Sequence, residues 1–182
     1  AGSPSFFRVE KTIQDITGMP IVIPTHQGRT TKKILFSILG GPGKYIVSEA
    51  GYLVVKANVV KQTTATVFAG VNSGFNHLIR PMFYESYHRI ENISNPCGAE
   101  RIYTVVGNIC ETDTFAWDRK ISEVREGDYM VFYNAGAYGF EMSSNFNSRL
   151  KPAEVLVKDD QYLLIRKREE FEELLRNQIE VV

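Results

Sequence analysis

Residues 44–61, KYIVSEAGYLVVKANVVK, decide the predicted fold, because they are rich in the β-branched side chains that strands favour. Residues 63–71, TTATVFAGV, continue with the same kind of composition. Short segments of this composition are typical of β-strands. The sequence therefore predicts that a mainly β region begins near residues 41–50.

The rest of the chain keeps this pattern and adds short helices. Pro81 interrupts a helical spacing in residues 75–90, which predicts short helical turns there. Phe171, Leu174 and Leu175 mark a C-terminal helix. Further strands are predicted at ERIYTVVGNI (100–109), at YMVFY (129–133) and in a hairpin, AEVLVKDDQYLLIRK (153–167), that turns at Asp159 and Asp160.

The first part of the chain has a different pattern. An amphipathic helix is predicted over 4–17, a short buried strand over 20–24 and a second helix over 31–39. The predicted fold is therefore mainly β (α+β). A small helix–strand–helix segment, residues 1–48, precedes a Greek-key-like β barrel or sandwich domain with short helices, residues 49–182.

Composition and charge exclude several classes of function. The 182 residues carry 21 basic and 21 acidic side chains, and no basic run suggests a nucleic-acid partner. Cys97 and Cys110 are too few for a disulfide framework, and neither they nor His26, His77 and His88 show metal-ligand spacing, so no metal is expected. With no membrane-length apolar stretch and no targeting peptide, a cytoplasmic location is expected.

A polar turn between the first predicted strand and the second helix, THQGR (25–29), is a candidate anion site. Backbone N–H groups at a helix start favour anions, and Gln27 and Arg29 add side-chain donors. Gly28 lies between them. The alternative is that this turn is only a connector.

A second candidate, CETD (110–113), follows an apolar strand. A thiol beside carboxylates provides a proton and a charge partner in one place. Carboxylates disfavour a neighbouring thiolate, so Cys110 is expected to act as a proton donor and not as a nucleophile. An inert cysteine at a strand end is the simpler interpretation, and spacing alone favours it.

A third candidate is LIRPMFY (78–84), in which Arg80 and Tyr84 are four residues apart. This spacing places both side chains on one face of a helix, where together they could hold a carboxylate. An arginine that packs its stem on the surface is the more ordinary interpretation.

The fourth candidate, NAGAYGFEMSSNFNSR (134–149), is too irregular for a strand and too polar for a core helix. Gly136 and Gly139 flank Tyr138, so the backbone there can bend sharply and approach a ligand closely. The alternative is an ordered loop that caps the end of a barrel. The density of glycine and small polar residues favours a ligand-binding loop.

From about residue 49 to its end, the chain closely resembles the C-terminal β domain of diaminopimelate decarboxylase. That family pairs an alanine-racemase-like barrel, which carries pyridoxal 5′-phosphate, with a β domain. It removes a carboxylate from meso-diaminopimelate to give L-lysine. The resemblance lies in these segments: NSGFNHLIRPMFYESYH, VVGNICETDTFA, EVREGD, AGAYGFEMSSNFNSR and KPAEVL.

The resemblance implies a role for each candidate side chain. Cys110 would help to protonate the intermediate in the site of a partner subunit, and Glu111 would bind the distal ammonium group of the substrate there. Arg80 and Tyr84 would hold the distal carboxylate. Tyr138 would lie at the cofactor phosphate and the substrate. The family therefore implies an amino-acid substrate and a homodimer or higher self-association.

Residues 1–48 instead resemble tryptophanase and tyrosine phenol-lyase, in which the Gln27-Gly28-Arg29 turn would bind the cofactor phosphate. Lys44 ends a Gly-Pro-Gly-Lys segment where the decarboxylases usually carry Glu-Pro-Gly-Arg, so Lys44 would keep a charge at the cofactor but lose the Arg fork.

No lysine of the chain matches the cofactor-carrying position of either family, so the chain alone is expected to be inactive. The alternatives are a non-catalytic dimerisation or binding module, or a lyase-like fragment.

Overall fold

The computed structural model describes residues 47–181, in which eight β-strands dominate and helices are short. The two α-helices of this part are α1 (Arg80–Tyr84) and α2 (Phe171–Leu175), and 3-10 turns cover Val47–Ala50, Phe140–Met142 and Phe146–Ser148. The strands are β1 (Leu53–Gln62), β2 (Val67–Val71), β3 (Ile90–Asn92), β4 (Glu100–Val106), β5 (Thr114–Ser122), β6 (Tyr129–Phe132), β7 (Glu154–Lys158) and β8 (Gln161–Arg166).

Six of these strands form one sheet in the order β3-β6-β1-β2-β4-β5, while β7 and β8 form a separate two-stranded sheet. The two edge strands, β3 and β5, contact each other, so the sheet curls into a nearly closed barrel. The side-chain amide of Asn92 closes part of the gap by donating to the Glu123 carbonyl at 2.7 Å. The prediction of a mainly β, barrel-like domain with short helices is therefore confirmed.

Inward-facing side chains of the barrel form its core. Val55 and Ala57 alternate with exposed neighbours along β1, as expected for a strand with one buried face. The rings of Phe115 and Phe132 pack with their centroids 4.8 Å apart. Tyr103 is fully buried, and its hydroxyl accepts a hydrogen bond from the backbone N–H of Val124 at 3.0 Å. The core thus joins strands from both edges of the sheet.

Strand direction places three connections at one end of the barrel. β1 pairs antiparallel with both β2 and β6, and β2 pairs parallel with β4. The strands β2, β4 and β6 therefore run the same way, and the loops that leave them begin at one rim. Three of the four candidate segments lie on these loops.

The individual strands and turns predicted from the sequence can be compared with those in the structure. The hairpin forms as predicted, and Asp159 and Asp160 both turn with positive φ, at 50° and 59°. The predicted first strand begins later, at Leu53, because residues 47–50 form a 3-10 turn. β5 and β3 were not predicted from the sequence. The helix–strand–helix segment was predicted for residues 1–48, and its predicted helices and strand, over 4–39, lie outside the described residues.

Candidate functional site

Hydrogen bonds and one ring contact hold together the three loops at this rim, which we call the rim loops: residues 72–79, 107–113 and 133–150. The Asn108 N–H donates to the Ser73 carbonyl at 3.0 Å, and the Ser144 N–H donates to the Asn76 carbonyl at 2.8 Å. The ring centroids of Phe75 and Phe146 lie 4.9 Å apart. These contacts therefore join the three rim loops into one continuous structure.

Asp113 is the centre of this structure. One carboxylate oxygen accepts from the Phe75 N–H at 2.6 Å and the other from the Ile109 N–H at 3.0 Å. Its carbonyl also accepts from the Gly107 N–H at 2.7 Å. Burial raises the pKa of Asp113 above its usual range, against the lowering effect of the two N–H donors. The last residue of CETD is therefore structural: it fixes the loop that carries Cys110.

His77 joins the first rim loop to the end of the third. Its Nε2 lies 3.0 Å from the Leu150 carbonyl, which can only accept, so Nε2 carries the proton. Its Nδ1 then accepts from the Ser73 hydroxyl at 2.9 Å. Burial lowers the pKa of His77 below its ordinary value, and the positive charges of Arg149 and Arg168 lower it further. The side chain therefore acts as a neutral hydrogen-bonding bridge.

Cys110 and Glu111 form an exposed pair with a third side chain, Asn147, from the loop after β6. The Cys110 thiol lies 3.4 Å from one carboxylate oxygen of Glu111. The Asn147 amide donates to the other oxygen at 3.1 Å and approaches the Cys110 sulfur at 3.7 Å. A thiol, a carboxylate and an amide thus lie together at the surface of the rim.

Arg80 and Tyr84 lie at the two ends of α1, with Pro81 at the start of the helix. Their spacing places them on one face, as predicted. The Tyr84 ring packs edge-on against Phe83 with centroids 4.8 Å apart. In residues 47–181, no hydrogen bond or ring contact joins Arg80 or Tyr84 to the pair Cys110 and Glu111. The structure therefore does not by itself unite the two candidate groups.

Tyr138 stands on a tight turn in the loop after β6. Its φ is 60°, and the side chain is 39% exposed. A Cβ on Gly139 would lie 2.2 Å from the Ala135 carbonyl oxygen, and one on Gly51 would lie 2.4 Å from the Cα of Gly136. The backbone on either side of Tyr138 is therefore packed too closely for a side chain at Gly51 or Gly139.

The remaining candidates, Gln27, Gly28, Arg29 and Lys44, lie outside the described residues and stay predictions. Two residues of the site were missed by sequence reasoning, which treated Asp113 only as part of CETD and did not single out Asn147. An available signal for Asn147 was its type, because asparagine tolerates left-handed backbone, and its φ is 55°.

Between residues 47 and 181, no group of His, Cys, Asp and Glu side chains is arranged to hold a metal ion. In the same range, no helix has the length and apolar character needed to cross a membrane.

Comparison with family models gives two matches. Residues 44–136, just over half of the chain, match the C-terminal sheet domain of the pyridoxal-dependent decarboxylases. Residues 1–81 match the beta-eliminating lyases, so the two matches overlap from residue 44 to residue 81.

Individual relatives agree with the first match. A diaminopimelate decarboxylase of Methanothermobacter thermautotrophicus is 48% identical over 140 residues, covering 75% of this chain and 32% of the relative. One from Haemophilus influenzae is 46% identical over 134 residues, covering 73% and 32%. The crystal structure of the M. jannaschii enzyme with L-lysine superposes with a TM-score of 0.70 at 34% identity, covering 74% and 31%. The chain spans about a third of the length of the relatives it matches.

Proposed function

The chain belongs to the pyridoxal-dependent decarboxylases through their C-terminal sheet domain, and on that premise we propose that it serves as the sheet domain of a diaminopimelate decarboxylase. The reaction would convert meso-diaminopimelate to L-lysine. The observation that carries the proposal is the joining of Cys110 and Glu111 to the loop after β6, in a chain so similar to these enzymes. The activity belongs to the complete enzyme, of which this chain covers about a third.

The candidate side chains carry charges that would suit a substrate with a distal ammonium group and a distal carboxylate. The Glu111 carboxylate is exposed and can accept from a distal ammonium group. Arg80 offers a planar fork for the distal carboxylate, and the Tyr84 hydroxyl adds one donor. The Cys110 thiol is exposed beside a carboxylate, an arrangement that suits it to deliver a proton.

The residues present fit one side of a pyridoxal phosphate site. Tyr138 lies between Gly136 and Gly139 on a tight turn, and we propose that its hydroxyl would donate to a phosphate oxygen of the cofactor. When bound, the cofactor supplies an electron sink for the carbanion. Gln27, Gly28, Arg29 and Lys44 are further proposed contacts to it. We propose that the lysine that carries the cofactor belongs to the part of the relatives that this chain does not match.

Self-association is also part of the proposal, as a homodimer or a larger assembly. The β7–β8 hairpin exposes apolar side chains on both faces: Tyr162 and Leu164, on one face, are 81% and 61% exposed, and Leu163 and Ile165, on the other, are 51% and 61% exposed. Apolar surface of this extent is typical of an interface. Light scattering of the 182-residue chain should give a mass above that of a monomer, and a clean monomer at high concentration would contradict this. A cytoplasmic location is proposed with it, since both described cysteines are unpaired.

A domain exchange tests the function. In the M. thermautotrophicus relative, residues 49–182 of this chain would replace the matching sheet domain, and lysine formation from meso-diaminopimelate would be measured. The chimera should turn over substrate, while the 182-residue chain alone should not.

Within the chimera, Cys110→Ala should lower kcat about a hundredfold, the lower end for loss of a general acid. Cys97→Ala is the matched control, because Cys97 is also exposed but lies outside the rim loops. A folded, cofactor-loaded chimera without turnover would instead support a non-catalytic module.

A further inference from the structure

We infer that Asn147 is a positioning residue that sets the geometry of the pair Cys110 and Glu111 and thereby the reactivity of the Cys110 thiol. The inference rests on the proposed function for the importance of that pair, and on the contacts of the rim for the role of Asn147 itself.

The three side chains form a closed triangle. The Cys110 sulfur lies 3.4 Å from Glu111 Oε1, the Asn147 Nδ2 lies 3.1 Å from Glu111 Oε2, and the same nitrogen lies 3.7 Å from the sulfur. The carboxylate decides the orientation of the amide, because the opposite orientation would bring two acceptor oxygens together. Both oxygens of Glu111 are therefore held, one by each neighbour.

The backbone around Asn147 holds the amide in this place. Asn147 adopts a left-handed conformation, with φ 55° and ψ 33°, which asparagine tolerates better than most residues. On one side, the Phe146 ring packs against Phe75. On the other side, a guanidinium nitrogen of Arg149 donates to the Asn108 carbonyl at 3.5 Å. The segment that carries Asn147 is thus anchored to both other rim loops.

This placement has an electrostatic consequence. Glu111 alone would oppose ionisation of the adjacent thiol, since two negative charges would lie within contact distance. The Asn147 N–H donates towards both groups, so it stabilises the carboxylate and the thiolate together. Removing the amide should make the sulfur a poorer nucleophile, even though it would also make the loop more open.

Alkylation of Cys110 by iodoacetamide, a neutral reagent that reacts with the thiolate, measures this effect directly. The experiment uses the full 182-residue chain with Cys97→Ser, so that one exposed cysteine of the described part remains. Asn147→Gly keeps the left-handed backbone and should slow alkylation by about threefold, the effect of a modest exposed hydrogen bond. Asn147→Asp, which has nearly the same shape, should slow it further by adding a negative charge.

Two further variants complete the test. Asn134→Gly is the matched control, because Asn134 also has a positive φ of 61° but donates to neither Cys110 nor Glu111, and it should leave the rate unchanged. Glu111→Gln should accelerate alkylation, and the effect of Asn147→Gly should shrink in that background because the two residues are coupled.

The outcome separates positioning from simple loop packing. If Asn147 only packed the loop, its loss would expose the thiol and alkylation would become faster or stay the same, which would overturn the inference. Thermal melting of each variant shows that it is folded. Alkylation needs neither cofactor nor turnover. An inactive chimera would therefore contradict the proposed function without affecting the alkylation result, and an unchanged alkylation rate would contradict the role of Asn147 without affecting the proposed function.

Discussion

Gly107→Ala should destabilise the domain strongly, because the added methyl group would overlap the carboxylate that organises the rim loops. A Cβ at this position would lie 1.9 Å from Asp113 Oδ2 and 2.3 Å from its Cγ, whereas ordinary contacts begin at 3.4 Å. The difference, 3.4 minus 1.9, requires a shift of about 1.5 Å. Gly107 does not have a positive φ, so the cost of alanine there comes from the overlap and not from the backbone.

The size of the effect follows from what holds Asp113 in place. Its carboxylate cannot retreat without losing its hydrogen bond to the Phe75 N–H or to the Ile109 N–H. Overpacking costs about 1–3 kcal/mol, and a lost bond to a charged group costs about 1.5–3 kcal/mol. We therefore expect the free energy of unfolding to fall by about 3 kcal/mol, and the melting temperature by roughly 10 °C.

Urea unfolding of a double-mutant cycle tests this explanation. Asp113→Ala is itself destabilising, but it removes the atoms that the methyl group would overlap, so Gly107→Ala should cost less than about 1 kcal/mol in that background. Gly127→Ala is the control: Gly127 has a φ of 93°, so its substitution is strained by the backbone and should be additive with Asp113→Ala. Equal costs of Gly107→Ala in both backgrounds would refute the reasoning.

Two other predictions concern buried polar groups. Burial lowers the pKa of both His77 and His88 below the ordinary 6.5, so the unfolded chain takes up their protons first as the pH falls. As the pH falls from about 7.5 to about 5.5, the melting temperature should therefore drop, and a constant melting temperature would contradict this. At lower pH, protonation of Asp113, whose pKa is raised, should act in the opposite direction and stabilise the folded state. Tyr103→Phe leaves the buried Val124 N–H without its acceptor and should cost about 1–2 kcal/mol in urea unfolding, whereas Tyr129→Phe, on an exposed ring, should cost nothing measurable.

The sequence predicted strands well where the signal was local. β1 and the β7–β8 hairpin combine β-branched residues with clear turn residues, so each can be identified without knowing its partners. β5 was missed because TFAWDRKIS carries three charges and does not alternate in burial. A positive φ of 48° at Asp118 and the irregular register with β4 explain why the period of two is broken.

In the site too, contacts between sequence neighbours could be predicted, but contacts between distant residues could not. Cys110 and Glu111 are neighbours in sequence, so their pairing could be expected from the motif alone. The contact of Asn147 with Glu111 spans 36 positions, and that of Asp113 with Phe75 spans 38. Such contacts depend on which strands run parallel, and single-sequence patterns carry no information about that.

The proposed enzyme needs two things: a correct geometry around Cys110, and a complete site in which the reaction takes place. Asp113, His77 and Asn147 all draw their partners from residues 47–181, so the geometry around Cys110 is set within the sheet domain itself. The domain exchange and the alkylation experiment therefore measure different properties of one surface. Preorganised groups cost less to position when a ligand binds, because their conformational entropy has already been lost on folding. Under the proposed function, this rim would therefore present a thiol and a carboxylate that are already positioned when the substrate binds.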